Sequence, residues 1–327
     1  MVGWLDRLQR RNRAVGLIVA VIYKYADDQG GYLAALIAYY GFVSLFPLLL
    51  VLTTATGLGV VLAGRPGLQQ QIVHSTLSQF PVIGSQLHQP EGLGGGAAAV
   101  VIGLLGALYG GLGIGQAVQN AMDSIWAVPR DRRPNPIRSR LRSLLLLLVL
   151  GSAAITATLL SAVGQVTGAL GVFGEIVAAV AAVVINAFIC LVAYRVTTAR
   201  DLTYRQVLPG ALAAAFVWQL LQSFGAGFVG HTVKKASAIN SVFALVLGLL
   251  GFLFLVSVTL VLCAEINVVL VERLHPRALL SPFTDDADLT PADRRIYAKK
   301  VRAERLKGFQ RVSVRFGDLD DRPTRVG

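Results

Sequence analysis

Histidine and cysteine are scarce in this 327-residue chain, which limits the chemistry it can carry out. The four histidines are dispersed, at His74, His88, His231 and His275, and none has the spacing of metal ligands. A catalytic Ser-His-Asp set or a zinc-activated water would need one of these four, and no Cys-x-x-Cys pair is present. The sequence therefore predicts no enzymatic activity, no bound metal ion and no cofactor.

Charged residues make up only 15% of the chain and are missing from six long stretches. These stretches are 31–64, 92–122, 143–174, 176–194, 206–233 and 236–264. A helix that crosses a bilayer needs about 20 mostly apolar residues, so each stretch is long enough to cross once. The sequence predicts an all-α, polytopic membrane protein with six transmembrane helices, at about 33–62, 97–118, 143–166, 175–195, 207–229 and 242–271.

Lysine and arginine in the loops predict the orientation, because cytoplasmic loops keep these residues. The N-terminal segment and the second and fourth loops are rich in arginine. The first, third and fifth loops contain only Arg65, Lys234 and Lys235. This pattern places both termini in the cytoplasm and the loop 64–96 outside, with 27 of the 30 basic residues on the cytoplasmic side.

Two polar segments flank the predicted six-helix membrane domain, which spans residues 31–275. Residues 1–30 carry apolar side chains on one helical face and arginines elsewhere, which is typical of a helix lying in the cytoplasmic membrane interface. Residues 276–327 form a basic cytoplasmic tail. In it, Thr290-Pro291-Ala292-Asp293 predicts the start of a short surface helix, and the final DLDDRPTRVG predicts disorder.

Several polar side chains interrupt the predicted spans, where such groups are costly and tend to face a bundle interior or an aqueous cavity. Glu265 is expected to pair with an arginine such as Arg195 and join two helices, to take part in proton or substrate movement, or to reach the surface. The amides are expected either to line a polar path or to join helices by hydrogen bonds. The candidate residues are Glu265, Asn267, Asn186, Gln219, Gln222 and Arg195.

Proline and small residues predict how the first two spans pack. Pro47 predicts a bend in the first span, and Ser44 is placed to bond a carbonyl group that the proline frees. In the second span Ala107, Gly111 and Gly115 recur every four residues, which predicts close helix packing. Three candidate residues follow this span, two polar and one a predicted interfacial aromatic: Asn120, Asp123 and Trp126.

Four segments carry a likeness to a known family. They are LAALIAYYGFVSLFPLLL in the first span, AVQNAMDSIW after the second, YRVTTARDLTYRQVLPGALAAAFVWQLLQSFGAGFVG through the fourth and fifth, and CAEINVVL in the sixth. Over about residues 25–275 the chain resembles the YihY/BrkB family of bacterial inner-membrane proteins. The resemblance implies six spans with cytoplasmic termini in the bacterial inner membrane. Members of this family are described as virulence or serum-resistance factors, as transporters and as ribonuclease BN.

The long first span with its predicted bend, the many small residues and the sparse charge within the membrane favour a protein that moves or accommodates an amphipathic or lipid-like molecule. The alternative is a scaffold without transport, whose basic cytoplasmic face binds anionic lipid or a protein partner. A tRNA-processing ribonuclease is disfavoured because the dispersed histidines cannot build a metal site. Membrane lipids are the expected partners, and nucleic acid is not expected to bind. The sequence is compatible with a homo-oligomer but does not predict one.

Overall fold

A computed structural model describes residues 2–45, 97–149, 171–233, 238–281, 284 and 287–317. All regular elements within these ranges are helices, which confirms the all-α prediction for the described part of the chain. In chain order they are α1 (Val2–Arg11), α2 (Arg13–Asp27), α3 (Gly30–Leu45), α4 (Ala97–Ile125), α5 (136–149), α6 (Gly171–Thr197), α7 (Tyr204–Val233), α8 (Ala238–Glu272) and α9 (Pro291–Ala303).

Three described helices are long and apolar enough to cross a membrane. They contain the segments Val101–Ile125, Val180–Thr197 and Val246–Glu272, with mean hydropathies of 1.6, 2.0 and 2.7. No more than a third of the most apolar window of each helix is buried within the protein, which leaves apolar surface free for contact with lipid. The protein is therefore membrane-integral, and these helices coincide with the second, fourth and sixth predicted spans.

Of the other three predicted spans, the first and the third are only partly described. α3 is a shorter apolar helix that covers the start of the first predicted span, and α5 covers the start of the third. The fifth predicted span lies within α7. Pro47 and the loop 64–96 lie outside the described residues, so the bend at Pro47 and the external position of the loop stay predictions. The total of six spans also stays a prediction.

The described parts of α4 to α8 alternate in direction. Near the end of α4, Gln119 donates to Ser143 near the start of α5, with Nε2 and Oγ 2.9 Å apart. Gly210 of α7 contacts Asn267 of α8, whereas Trp218, two turns farther along α7, packs against Phe252, about four turns earlier in α8. The carboxyl ends of α4, α6 and α8 and the amino ends of α5 and α7 thus lie together, at what we call the charged end.

The buried core of the described residues is concentrated at the charged end. Apolar side chains of α4, α6 and α8 are almost fully buried there, and α2 and α9 add residues from the two polar segments. They include Ala20, Ile125, Trp126, Tyr194, Val261, Val268 and Ile296. Core contacts therefore cross the predicted boundaries after residues 30 and 275, and the division into three segments stays a prediction.

Glycines of α4 allow close contact with two neighbouring helices. A Cβ atom at Gly115 would lie 2.5 Å from Cβ of Ser143 in α5, and one at Gly111 would lie 2.9 Å from Leu147 Cδ1. On the other side of α4, a Cβ at Gly110 would lie 2.6 Å from Cβ of Ser44 in α3. These distances are too short for a side chain, which confirms the predicted close packing of small residues.

The two polar segments form helices with well-defined starts. Asn12 caps α2 by accepting a hydrogen bond from the Ala14 backbone, over 3.0 Å. Thr290 and Asp293 form a capping box at the start of α9, with a proline at the first helical position, and this confirms the predicted helix start. α2 is amphipathic with an apolar exposed side, since Ile18 and Ile22 are exposed. Its position in the membrane interface stays a prediction.

Candidate functional site

A buried ionic cluster joins α2 to α8 at the charged end. Lys24 Nζ lies 3.4 Å from Glu265 Oε2, and the same ammonium group contacts the Asp28 carboxylate one turn along α2. It also donates a hydrogen bond of 3.1 Å to the carbonyl oxygen of Ile125, the last residue of α4. We call Lys24, Asp28 and Glu265 the Lys24 cluster. Through one ammonium group it connects three helices.

The helix faces explain how these side chains meet. In α2, Ala20 and Lys24 lie one turn apart on the buried face. In α8, Val261, Glu265 and Val268 recur at helical spacing and are all almost fully buried. The two buried faces pack against each other, so that the carboxylate and the ammonium group are enclosed together. Burial favours a paired arrangement, because an unpaired charge in such surroundings is costly.

Lys24 remains charged in this environment. Burial by itself lowers its pKa, but the charges of Glu265 and Asp28 raise it, and the pKa ends above its ordinary value. Both Glu265 oxygens are buried and make no hydrogen bond, so the contact with Lys24 is an ion pair without hydrogen-bond geometry. The ammonium group therefore contacts two carboxylates, and its single charge can offset only one of them.

The predicted pairing of Glu265 with Arg195 is wrong. Arg195 is exposed, and its guanidinium carbon lies 4.2 Å from the centre of the Tyr204 ring. The preceding residue explains the difference: Tyr194 is buried against α8 and donates a 2.9 Å hydrogen bond to the Leu260 carbonyl oxygen. Consecutive helical residues point about 100° apart, so Arg195 is turned away from α8.

A second buried cluster holds the tail against α2. Arg277 is fully buried, and its Nη2 atom lies 2.7 Å from an Asp27 carboxylate oxygen. Its Nε atom contacts Asp293 of α9, which also accepts a 2.8 Å hydrogen bond from the Ala278 backbone. Gln9 of α1 donates to the Arg277 carbonyl oxygen over 2.7 Å. Sequence analysis missed this cluster, because only the local capping role of Asp293 is visible in the sequence.

The predicted polar residues near the end of α4 bind neighbouring backbone and side chains. Asp123 is buried and accepts a 2.7 Å hydrogen bond from the backbone of Ala199, just beyond α6. Asn120 accepts one of 3.2 Å from Arg133 in the following loop. Trp126 is almost fully buried, with the Arg200 guanidinium 5.2 Å from its ring centre. These contacts join the ends of α4 and α6.

The predicted intramembrane amides and Ser44 are buried or half-buried, and two of these side chains bond a neighbouring backbone group. Asn267 is buried and accepts a 2.7 Å hydrogen bond from the Gly210 backbone, next to Pro209 in α7. This bond joins two helices, which is one of the two predicted roles for the amides. Ser44 donates to the Gly41 carbonyl oxygen over 2.9 Å. Asn186, Gln219 and Gln222 are half-buried, and their lining of a polar path stays a prediction.

An amphipathic groove opens between α5, α6 and the first residue of α7. Its lining residues are Arg142, Leu145, Val192, Arg195, Val196 and Tyr204. Two arginines and an aromatic ring stand beside three aliphatic side chains, and none of the described lining residues is acidic. We call this feature the arginine groove. Arg142 and Tyr204 were not predicted as site residues, since only the fold brings them beside Arg195.

A comparison with protein-family models identifies the group to which this chain is related. The model described as virulence factor BrkB matches residues 21–286. The chain belongs to the BrkB virulence factor family. The match begins within α2 and ends beyond Arg277, so the BrkB region includes the Lys24 cluster and the arginine groove. The comparisons with curated proteins and with solved structures gave no match.

This BrkB family member is thus a membrane protein built from apolar helices, with its buried charges gathered at one end. Among the described residues, no group of three or more His, Cys, Asp or Glu side chains is placed to hold a metal ion. The absence of enzymatic activity stays a prediction.

Proposed function

We propose that this BrkB family member is a six-span inner-membrane protein that moves or accommodates an amphipathic, lipid-like molecule. Both termini then lie in the cytoplasm, and so does the charged end. The antiparallel order of the described helices supports this topology, together with the uneven distribution of Lys and Arg. We propose no catalytic role.

The arginine groove is the observation that carries the proposal. Its rim has two guanidinium groups, and its wall has Leu145, Val192 and Val196. A lipid has the same two parts, a polar head and an apolar chain, and a membrane protein meets it at high local concentration. A groove with this lining fits the polar head and the apolar chain of a lipid better than it fits a small ion or a fully polar solute.

A reconstitution experiment tests lipid movement. The purified protein is placed in liposomes that contain a trace of head-group-labelled fluorescent phospholipid, and external dithionite then bleaches the label it can reach. Movement of lipid between leaflets raises the bleached fraction above the outer-leaflet share seen in protein-free liposomes. An unchanged bleached fraction, with correctly inserted and folded protein, would contradict movement.

The second candidate is a scaffold that binds lipid or a partner without moving it. The tail favours this role, because Leu306 and Phe309 are exposed beside basic residues, with Phe309 88% accessible. The tail is also held to the loop after α4 by an Arg305–Asp131 ion pair of 2.7 Å. A protein that binds lipid but leaves the bleached fraction unchanged would favour the scaffold.

A further inference from the structure

Arg142 has an unsatisfied donor beside the arginine groove. The residue is half-buried, and its Nη1 atom is buried without any hydrogen-bond acceptor. A buried donor without an acceptor is unfavourable, and more so when the group is charged. Because Arg142 also lines the groove and has no protein acceptor at Nη1, its charge is left to attract an anionic group bound there.

Arg195 is held at the other side of the groove by an aromatic ring. Its guanidinium carbon lies 4.2 Å from the Tyr204 ring centre, the distance of a stacked cation–π contact. Stacking occupies the face of the guanidinium plane and leaves the N–H groups at its edge available. Within the described residues Arg195 makes no ion pair, so its charge is not neutralised by a protein carboxylate.

The surrounding charges favour an anion over a zwitterion. Asp123 is the carboxylate within electrostatic reach of Arg142, but it is buried in α4, accepts a hydrogen bond from Ala199 and does not line the groove. The rim therefore presents two positive charges. The two arginines would repel the ammonium group of a choline or ethanolamine head group. They would attract a phosphodiester whose head group carries no positive charge.

The aliphatic wall decides between a lipid and a soluble phosphate. Leu145, Val192 and Val196 lie beside the arginines, on helices whose outer surfaces are apolar. A free phosphate ion would leave this wall in contact with water. An acyl chain would cover it, and each methylene group in contact with the wall would add to the affinity.

We propose that the arginine groove binds an anionic phospholipid, with Arg142 and Arg195 holding the phosphodiester and the aliphatic wall contacting the start of an acyl chain. This inference rests on the proposed function and specifies its ligand. Arg142 contributes positive charge from α5, and Arg195 contributes it from α6 together with the N–H donors at the edge of its exposed guanidinium.

Binding is measured on purified full-length protein in detergent by lipid-dependent thermal stabilisation. The titrants are phosphatidylglycerol, phosphatidylcholine, diacylglycerol and inorganic phosphate. We expect phosphatidylglycerol to raise the melting temperature at much lower concentration than the other three. Arg142→Gln and Arg195→Gln should each weaken that effect about tenfold, the loss of one charge-assisted contact. Arg140→Gln is the matched control, because Arg140 is exposed on α5 and outside the groove.

Three results would overturn the proposal: equal stabilisation by phosphatidylcholine, displacement of phosphatidylglycerol by millimolar phosphate, or the same loss in Arg140→Gln. If Arg142→Gln does not fold, Arg195→Gln and Arg142→Lys preserve the test, since lysine keeps the charge but loses the fork. The lipid-movement assay is independent. Movement that persists without arginine-dependent binding contradicts the site alone, and intact binding without movement contradicts transport alone.

Discussion

Lys24 contacts two carboxylates, Asp28 and Glu265, inside the charged end. Removal of one partner from a buried ion pair costs about 3–5 kcal/mol, because the remaining charge is left without compensation. Lys24→Met leaves both carboxylates without the ammonium group, whereas Glu265→Gln leaves Lys24 with Asp28. Lys24 is therefore expected to matter more for stability than Glu265.

A double-mutant cycle tests this pairing by thermal unfolding in detergent. We expect Lys24→Met to lower the melting temperature more than Glu265→Gln, and the double variant to lose clearly less than the sum of the two. The control combines Glu265→Gln with Arg195→Gln, whose effects should simply add, because Arg195 contacts Tyr204 instead. Additive losses for Lys24 and Glu265 would show that the two charges do not interact.

The pH dependence of the pair follows from the raised pKa of Lys24. A lysine whose folded-state pKa lies above its unfolded value stabilises the fold fully below the unfolded pKa, and this contribution is lost only as pH rises through the folded pKa. The unfolded value is about 10.4. The stability difference between wild type and Lys24→Met should therefore not fall between about pH 6 and pH 9.

At the scale of helices, local patterns were predictable and long-range pairs were not. The Thr290 capping box and the glycine repeat of α4 depend on neighbouring residues, and the structure confirms both. Lys24 and Glu265 are separated by most of the chain, so no sequence pattern marks their contact. The sequence also does not show which face of α6 meets α8, and this is why Arg195 was assigned the wrong role.

Gly115 provides a test of the contact between α4 and α5. A methyl group there would lie 2.5 Å from Ser143 Cβ, so Gly115→Ala should destabilise the protein by about 1–3 kcal/mol through overpacking. Gly251→Ala in α8 is the matched control, since a Cβ atom at that position meets nothing within 4 Å. Equal melting temperatures for the two variants would contradict the close packing of α4 against α5.

Arg277 controls whether α9 stays attached to α2. Arg277→Gln leaves Asp27 and Asp293 buried without their shared cation, so the tail should detach and be cleaved faster by proteinase K. Arg302→Gln is the control, because Arg302 is exposed on α9. The rate is read from the loss of the intact chain on a gel. Cleavage of both variants at the wild-type rate would show that the Arg277 cluster does not hold the tail.

At the scale of the whole molecule, apolar helix surfaces and buried charges are separated in space. The described ion pairs, the main core and the arginine groove all lie at the charged end, while α4, α6 and α8 extend away from it and carry many exposed apolar side chains. This separation fits a membrane domain with one polar end. The groove can receive a lipid from the cytoplasmic leaflet only if the charged end is cytoplasmic.

Cysteine labelling tests this central claim most directly. Ile137, 80% exposed at the start of α5, and Gln86, in the predicted external loop, are changed singly to cysteine in a Cys190→Ala, Cys263→Ala background. Intact cells are treated with a membrane-impermeant thiol reagent, and permeabilised cells serve as the control. The account predicts labelling of the Gln86→Cys protein in intact cells and of the Ile137→Cys protein only after permeabilisation. Labelling of Ile137→Cys in intact cells, with Gln86→Cys protected, would contradict it.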